Sequence, residues 1–145
     1  MLYALVREGI IIKTEEMEQS ITLAPNKGVW LPVYENYPLV KPEWYDRSVL
    51  ITENSVNYIW TSKDVEGIRQ SIVPDVKAQA FILLQKTDWY IVRKYETGTD
   101  VPENVTTYRS AIREHCDDVI SEINNKTFEQ LLTYDWQANW PVLTV

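Results

Sequence analysis

The sequence predicts an α+β protein, with an N-terminal antiparallel β unit of hairpins over residues 1–61 and a C-terminal helical hairpin or bundle over residues 62–145. Three observations predict it. Apolar residues alternate at period two only in the first part of the chain. Beyond Ser62 they recur at helical spacing. The two patterns form separate runs instead of interleaving, which argues for α+β over an alternating α/β fold.

Residues 2–14 read as a hairpin or bent strand, with Tyr3, Leu5, Ile10 and Ile12 apolar and Glu8-Gly9 as the interruption. Residues 15–20 are short and acidic, either one helical turn or a loop. Residues 28–45 are aromatic and broken by Pro32, Pro38 and Pro42. Each proline removes a backbone donor and restricts the residue before it. This segment therefore predicts extended chain held by its rings, with edge-strand pieces at most. Residues 47–61 give the clearest hairpin. Val49, Leu50 and Ile51 lie on one side, Val56, Tyr58 and Trp60 alternate on the other, and Glu53-Asn54-Ser55 is the turn.

Val65, Ile68, Ile72 and Val76 then fall at spacings of three and four, with Ser62 as the expected N-cap. Pro74 is expected to break or kink this helix. A cap at Thr87-Asp88 starts a second helix from Trp89 to Thr97, and Gly98 suits the left-handed residue that ends it. Pro102 opens a long third helix, with Val105, Tyr108, Ile112, Val119 and Ile123 as its apolar stripe and Asn124-Asn125 as its end. Thr127 and Gln130 make a capping box for a short helix over residues 128–133. The tail, residues 134–145, is expected to be extended.

Composition narrows the function. The chain has 145 residues, with 14 Lys+Arg against 21 Asp+Glu and a formal net charge of −7. An acidic chain without a basic block is a poor partner for nucleic acid. A single cysteine, Cys116, excludes a disulfide framework and a Cys-rich zinc module. The longest aliphatic run near the N-terminus, Ile10-Ile11-Ile12, is far short of a membrane span, so no membrane association is expected.

Few residues suggest catalysis. His115 and Cys116 are adjacent on a helix and point about 100° apart, so they read as seam and core residues instead of a dyad. His115, Asp118 and Glu122 share a helix face, but no second His or Cys exists to complete a zinc site, and the face reads as solvated. Four scattered glycines build no phosphate loop. No catalytic residue, metal ligand or cofactor is expected.

The aromatic residues carry the remaining signal: six Trp and nine Tyr against two Phe. Trp89, Tyr108, Tyr58 and Trp60 lie on periodic seams, where burial within the fold accounts for them. Trp30, Tyr34, Tyr37, Trp44, Tyr45, Trp136 and Trp140 lie in proline-marked, irregular segments. Trp and Tyr supply large, stiff contact area, so these seven are the candidate partner interface.

The second half also carries an ordered set of motifs: Leu83-Leu84, Thr87-Asp88-Trp89, Gly98 with Val101-Pro102, Tyr108-Arg109 with Ala111-Ile112-Arg113, and Trp140-Pro141. This order resembles small tailed-bacteriophage proteins described as tail fibre assembly proteins, tail assembly chaperones or virion-associated tail proteins, frequent in cyanophages. The start, Tyr3-Ala4-Leu5-Val6 followed by Gly9-Ile10-Ile11, is similar to their short β opening. Residues 114–139 are longer and more helical than that family's pattern. The resemblance implies a non-enzymatic protein acting by protein–protein contact in the tail or tail fibres, as virion component or assembly chaperone. It implies other tail or tail-fibre proteins, or further copies of the chain, as partners. It implies the virion tail, or the host cytoplasm during assembly, as the location. A carbohydrate-binding or glycan-cleaving module built on residues 30–45 is the alternative of a different class.

Overall fold

Two left-handed residues, Glu8 (φ 53°) and Gly9 (φ 75°), turn the first strand back on itself. This is the backbone that a two-residue hairpin with right-handed strand twist requires. The turn joins β1 (Leu2–Arg7) to β2 (Ile10–Glu16). The structure, a computed structural model, describes residues 1–23 and 26–144. The chain divides into two compact units, Met1–Lys63 and Asp64–Val145.

The first unit is one five-stranded sheet in the order β2-β1-β3-β5-β4, with β3 at Val29–Glu35, β4 at Tyr45–Ile51 and β5 at Val56–Ser62. A register shift in the β1–β2 pair sets Leu5 opposite Lys13 and Val6 opposite Ile11, so Ile12 is the extra residue of a bulge. Three pairings are antiparallel, and β3 with β5 is parallel. Fold class is therefore α+β, with one parallel pair inside a sheet otherwise made of hairpins.

Strand β3 corrects the expectation of edge pieces only, because it is the central strand. Its Pro32 faces Tyr3 of β1, and pairing with β5 begins only at Val33. An antiparallel ladder leaves every second pair unbonded. A residue without an N–H fits between that gap and the start of the parallel pair. The strand's entry is fixed by Gly28 (φ 100°), where an added Cβ would lie 2.6 Å from the Val6 carbonyl oxygen. Only glycine allows β3 to approach β1 this closely.

One face of the sheet carries the core: Ala4 and Val6 of β1, Leu31 and Val33 of β3, and Val56 of β5, with Leu2, Ile11, Ile51 and Tyr58 packed around them. Period-two alternation places these residues on one side. The β4–β5 turn is built by Thr52, whose hydroxyl accepts from the backbone of Asn54 and Ser55. The acidic stretch after Lys13 continues β2 to Glu16 and then forms a loop, without a helical turn.

The second unit is helical: α1 at Val65–Gln85, α2 at Asp88–Thr97, α3 at Glu103–Asn125 and α4 at Phe128–Leu132. Asp64, and not Ser62, caps α1 by accepting from the Gly67 amide at 3.2 Å. Helix α1 runs through Pro74 without a break. Pro74 is exposed, while Ile68, Ile72, Val76 and Ala80 are buried along the other side. That apolar stripe holds the helix together against the proline's local cost of about 3 kcal/mol.

Helix α3 lies antiparallel to α1. The Tyr108 hydroxyl reaches the Leu83 carbonyl at one end, and Arg69 donates to the Lys126 carbonyl at 2.7 Å at the other. The stripe Val105, Tyr108, Ile112, Cys116, Val119 and Ile123 is buried. Gly98 ends α2 in the left-handed conformation, its amide donating to Lys94. Thr127 and Gln130 make the reciprocal capping box of α4. The tail is not simply extended: residues 136–139 form a turn, with Asn139 left-handed and the Trp140 indole donating to the Trp136 carbonyl. Its last residue lies outside the described ones. Among the described residues, no helix is long and apolar enough to cross a membrane.

Candidate interaction surface

The turn between α1 and α2 is closed by a side chain from α3. Arg109 places one terminal nitrogen, Nη1, at 2.8 Å from each of three acceptors: the Leu84 carbonyl, the Thr87 hydroxyl and the Asp88 carboxylate. The Arg109 side chain is only 11% exposed. Thr87 is the one buried polar residue of this turn, and its hydroxyl in turn donates to the Leu84 carbonyl. Burial demands these partners, because an unsatisfied hydroxyl or guanidinium away from water costs several times a typical hydrogen bond. Thr87 therefore does not cap α2. Its side chain makes no bond to the helix's free amides, since the hydroxyl is used by the clasp.

Helix α2 leaves this clasp with no buried residue of its own. Trp89 is 52% exposed and Tyr95 is 93% exposed, with Ile91 and Val92 also open. The Trp89 and Tyr90 rings lie 3.8 Å apart, and the Arg93 guanidinium sits over both, 5.0 and 5.4 Å from their centroids. This corrects the expectation that Trp89 is a seam residue. A tryptophan at the first turn of a short helix follows the direction of that helix, and the clasp sets α2 so that Trp89 points outward. The result is a small helix presenting Trp, Tyr and Arg side chains, the residue types that dominate binding hot spots, beside the aliphatic Ile91 and Val92.

The seven residues picked from irregular segments separate by burial. Trp30 is 6% exposed and Trp44 is 9% exposed, so neither ring is open to a partner. Trp30 lies on the central strand, with the Lys13 ammonium 5.1 Å from its ring centroid and the Ser20 hydroxyl on its carbonyl. Trp44 ends the 3-10 turn Pro42–Trp44 under the Lys41 ammonium. Tyr45, Trp136 and Trp140 are half-buried. Trp140 packs against the His115 ring at 4.6 Å, and Asn104 holds the Thr144 carbonyl at 2.8 Å, so the tail folds back on α3. Tyr34 and Tyr37 are exposed. Of the seven, two are thus buried, three half-buried and two exposed.

Among the described residues, His115 and Cys116 make no hydrogen bond to each other. The His115 Nε2 atom is buried without a hydrogen-bond partner, and its ring faces Trp140. Burial pushes the Cys116 thiol up, Asp117 adds to this, and Lys77 offsets part of it. A thiol shifted upward holds little thiolate and is a weak nucleophile. Among the described residues, no group of three His, Cys, Asp or Glu side chains is placed to hold a metal ion.

Arg109, Thr87 and Asp88 stand in the sequence only as separate motif residues, because periodicity weighs apolar residues and Arg109 lies beside the stripe. The signal available was a buried-turn Thr-Asp pair followed by a helix with an arginine next to a seam tyrosine. Comparison with known proteins adds no relative: no family model, no curated protein and no solved structure matches the chain.

Proposed function

We propose that this chain is a non-enzymatic protein of a tailed bacteriophage, acting in the tail or tail fibres by protein–protein contact. The observation that carries the reading is the convergence of the motif residues. Leu84, Thr87, Asp88, Tyr108 and Arg109, which carry the resemblance, meet around one turn. Their joint effect is to hold out α2 with Trp89, Val92 and Tyr95 exposed. A set of motif residues that together present an open aromatic helix fits a protein that works by docking. The glycan-binding alternative draws no support from Trp30 and Trp44, whose rings are buried.

The test is mass spectrometry of purified virions, combined with recovery of the tagged chain from infected cells. Stoichiometric presence in virions supports a mounted component. Absence from virions, with recovery bound to a tail or tail-fibre protein, supports a chaperone. Absence from both overturns the proposal. The double variant Trp89→Ala, Tyr95→Ala should remain folded and lose the interaction.

A further inference from the structure

Strand β4 is the outermost strand of the sheet, and residues 46–50 are all exposed. Among the described residues, no strand pairs with its outer side. Arg47 of this strand stands opposite Trp60 of β5. Its guanidinium lies 4.7 Å from the Tyr58 ring centroid and 5.9 Å from that of Trp60. Tyr37 packs edge-on against Trp60 at 5.2 Å, and the Trp60 indole N–H donates to Glu35 at 2.8 Å. The rings hold the guanidinium in place, and a cation–π contact uses none of its N–H donors as hydrogen bonds. Among the described residues, the Arg47 side chain has neither a hydrogen bond nor an ion pair. The neighbouring carboxylates are committed elsewhere: Glu35 to Trp60, and Asp46 to Lys63 at 3.9 Å.

We propose that β4 is a docking edge for an extended acidic peptide of another protein, which adds as a sixth strand and sets an Asp or Glu opposite Arg47. In an added strand the residue opposite Arg47 shares its face, with Cβ atoms about 5 Å apart. A carboxylate there reaches the preset guanidinium in the forked geometry that arginine favours. The unpaired N–H and C=O groups of an edge strand supply the rest of the recognition.

A second copy of β4 does not meet this requirement. In a two-fold antiparallel pair, opposed residues share a face, so Arg47 would meet Tyr45, Arg47, Val49 or Ile51, none of them acidic. Nor does the overall field draw an acidic peptide, because the chain's net charge is −7. The preference for an acid must therefore arise at Arg47, while the strand's backbone supplies the remaining affinity. An acidic sugar is the weaker candidate, since Arg47 and Tyr37 already cover Trp60. The inference concerns the sheet and stands apart from the reading of α2.

The experiment selects short random peptides against the full chain and measures the most enriched one by titration. The expected pool has one Asp or Glu set among β-branched residues. Replacing that acid by its amide, or making Arg47→Met, should each weaken binding at least about tenfold. Arg47→Lys should fall between, and methylation of the peptide backbone should abolish binding. If Arg47→Met fails to fold, the acid-against-amide comparison on the unaltered chain decides. An enriched pool without an acidic position, binding indifferent to Arg47, self-association through β4, or displacement by glucuronate would each overturn the proposal.

Discussion

The Arg109 guanidinium and the Thr87 hydroxyl meet at 2.8 Å, joining α3 to the turn between α1 and α2. The same nitrogen reaches the Leu84 carbonyl and the Asp88 carboxylate. One side chain thus fixes both the end of α1 and the start of α2. Because the clasp is buried and charge-assisted, it ranks among the stronger polar contacts of the unit.

Arg109→Met should therefore destabilise the chain by about 2–3 kcal/mol, since it removes the charged donor shared by Leu84, Thr87 and Asp88 in a largely buried turn. Asp88→Asn should cost less, under about 1 kcal/mol, because that carboxylate is 48% exposed and screened by water. Chemical denaturation gives both values. Amide exchange over residues 88–97 should accelerate in Arg109→Met more than in the rest of the chain. A cost below about 0.5 kcal/mol would show that the clasp is not structural.

Trp89→Ala provides the contrast with the sequence-based expectation of a buried seam residue, for which truncation would cost several kcal/mol. With Trp89 52% exposed, the cost should stay below about 1 kcal/mol, chiefly from its contacts with Tyr90 and Arg93. Ile112→Ala, at a fully buried position of α3, should cost about 2–5 kcal/mol in the same assay. Equal costs for the two variants would return Trp89 to the core.

The difference between Trp89 and Ile112 shows what the sequence makes legible. Ile112 belongs to a stripe repeated over a long helix, and such a stripe has only one way to be buried. The capping box at Thr127 and Gln130 and the left-handed Gly98 were equally readable, because each is set by a few neighbouring residues. Trp89 sits on a ten-residue helix whose direction is set by Arg109, a residue far along the chain. No local pattern carries that information. Pro32 misled for the same reason. A proline disfavours a central strand locally, but whether its missing N–H matters depends on which neighbour it faces. Trp30 and Trp44 were placed at an interface from irregular surroundings, and the sheet and the 3-10 turn bury both.

Tyr134 gives a pH-dependent signature. Burial and a hydrogen bond to Glu122 push its hydroxyl up to about 12. The Lys126 ammonium lies over its ring at 4.5 Å and also pairs with Glu122 at 3.6 Å. A raised folded pKa means that the unfolded chain loses this proton first. The stability tied to it is complete below pH 10 and declines as pH rises towards about 12. Tyr134→Phe should flatten the decline of stability over that interval, and its tyrosinate absorbance titration should lose a late component. An unchanged titration would place the late proton elsewhere.

Cys116 should label slowly with a thiol reagent at mildly alkaline pH, because its thiol is buried on α3 and shifted upward. The rate should rise when denaturant opens the helical unit, and it should track the amide exchange of α3. Labelling as fast as that of a free thiol in the native chain would show that the α1–α3 seam opens readily.

Pro74→Ala should stabilise the chain. Pro74 lies inside α1, where its ring crowds the carbonyl four residues earlier and its nitrogen donates nothing. Its side chain is exposed, so alanine removes no buried contact. The helix-interior preference for alanine is about 3 kcal/mol. Against this stands the looser unfolded chain once proline is gone, about 1 kcal/mol at most. The balance is a gain of about 2 kcal/mol, read as a shift of the denaturation midpoint with an unchanged slope. The gain should be smaller by about 1 kcal/mol in Pro74→Gly, because glycine is that much less favourable than alanine in a helix interior. If Pro74→Ala were neutral or destabilising, the proline's cost in α1 would be offset in the native helix, and the assumption that its ring makes no favourable contact would fail.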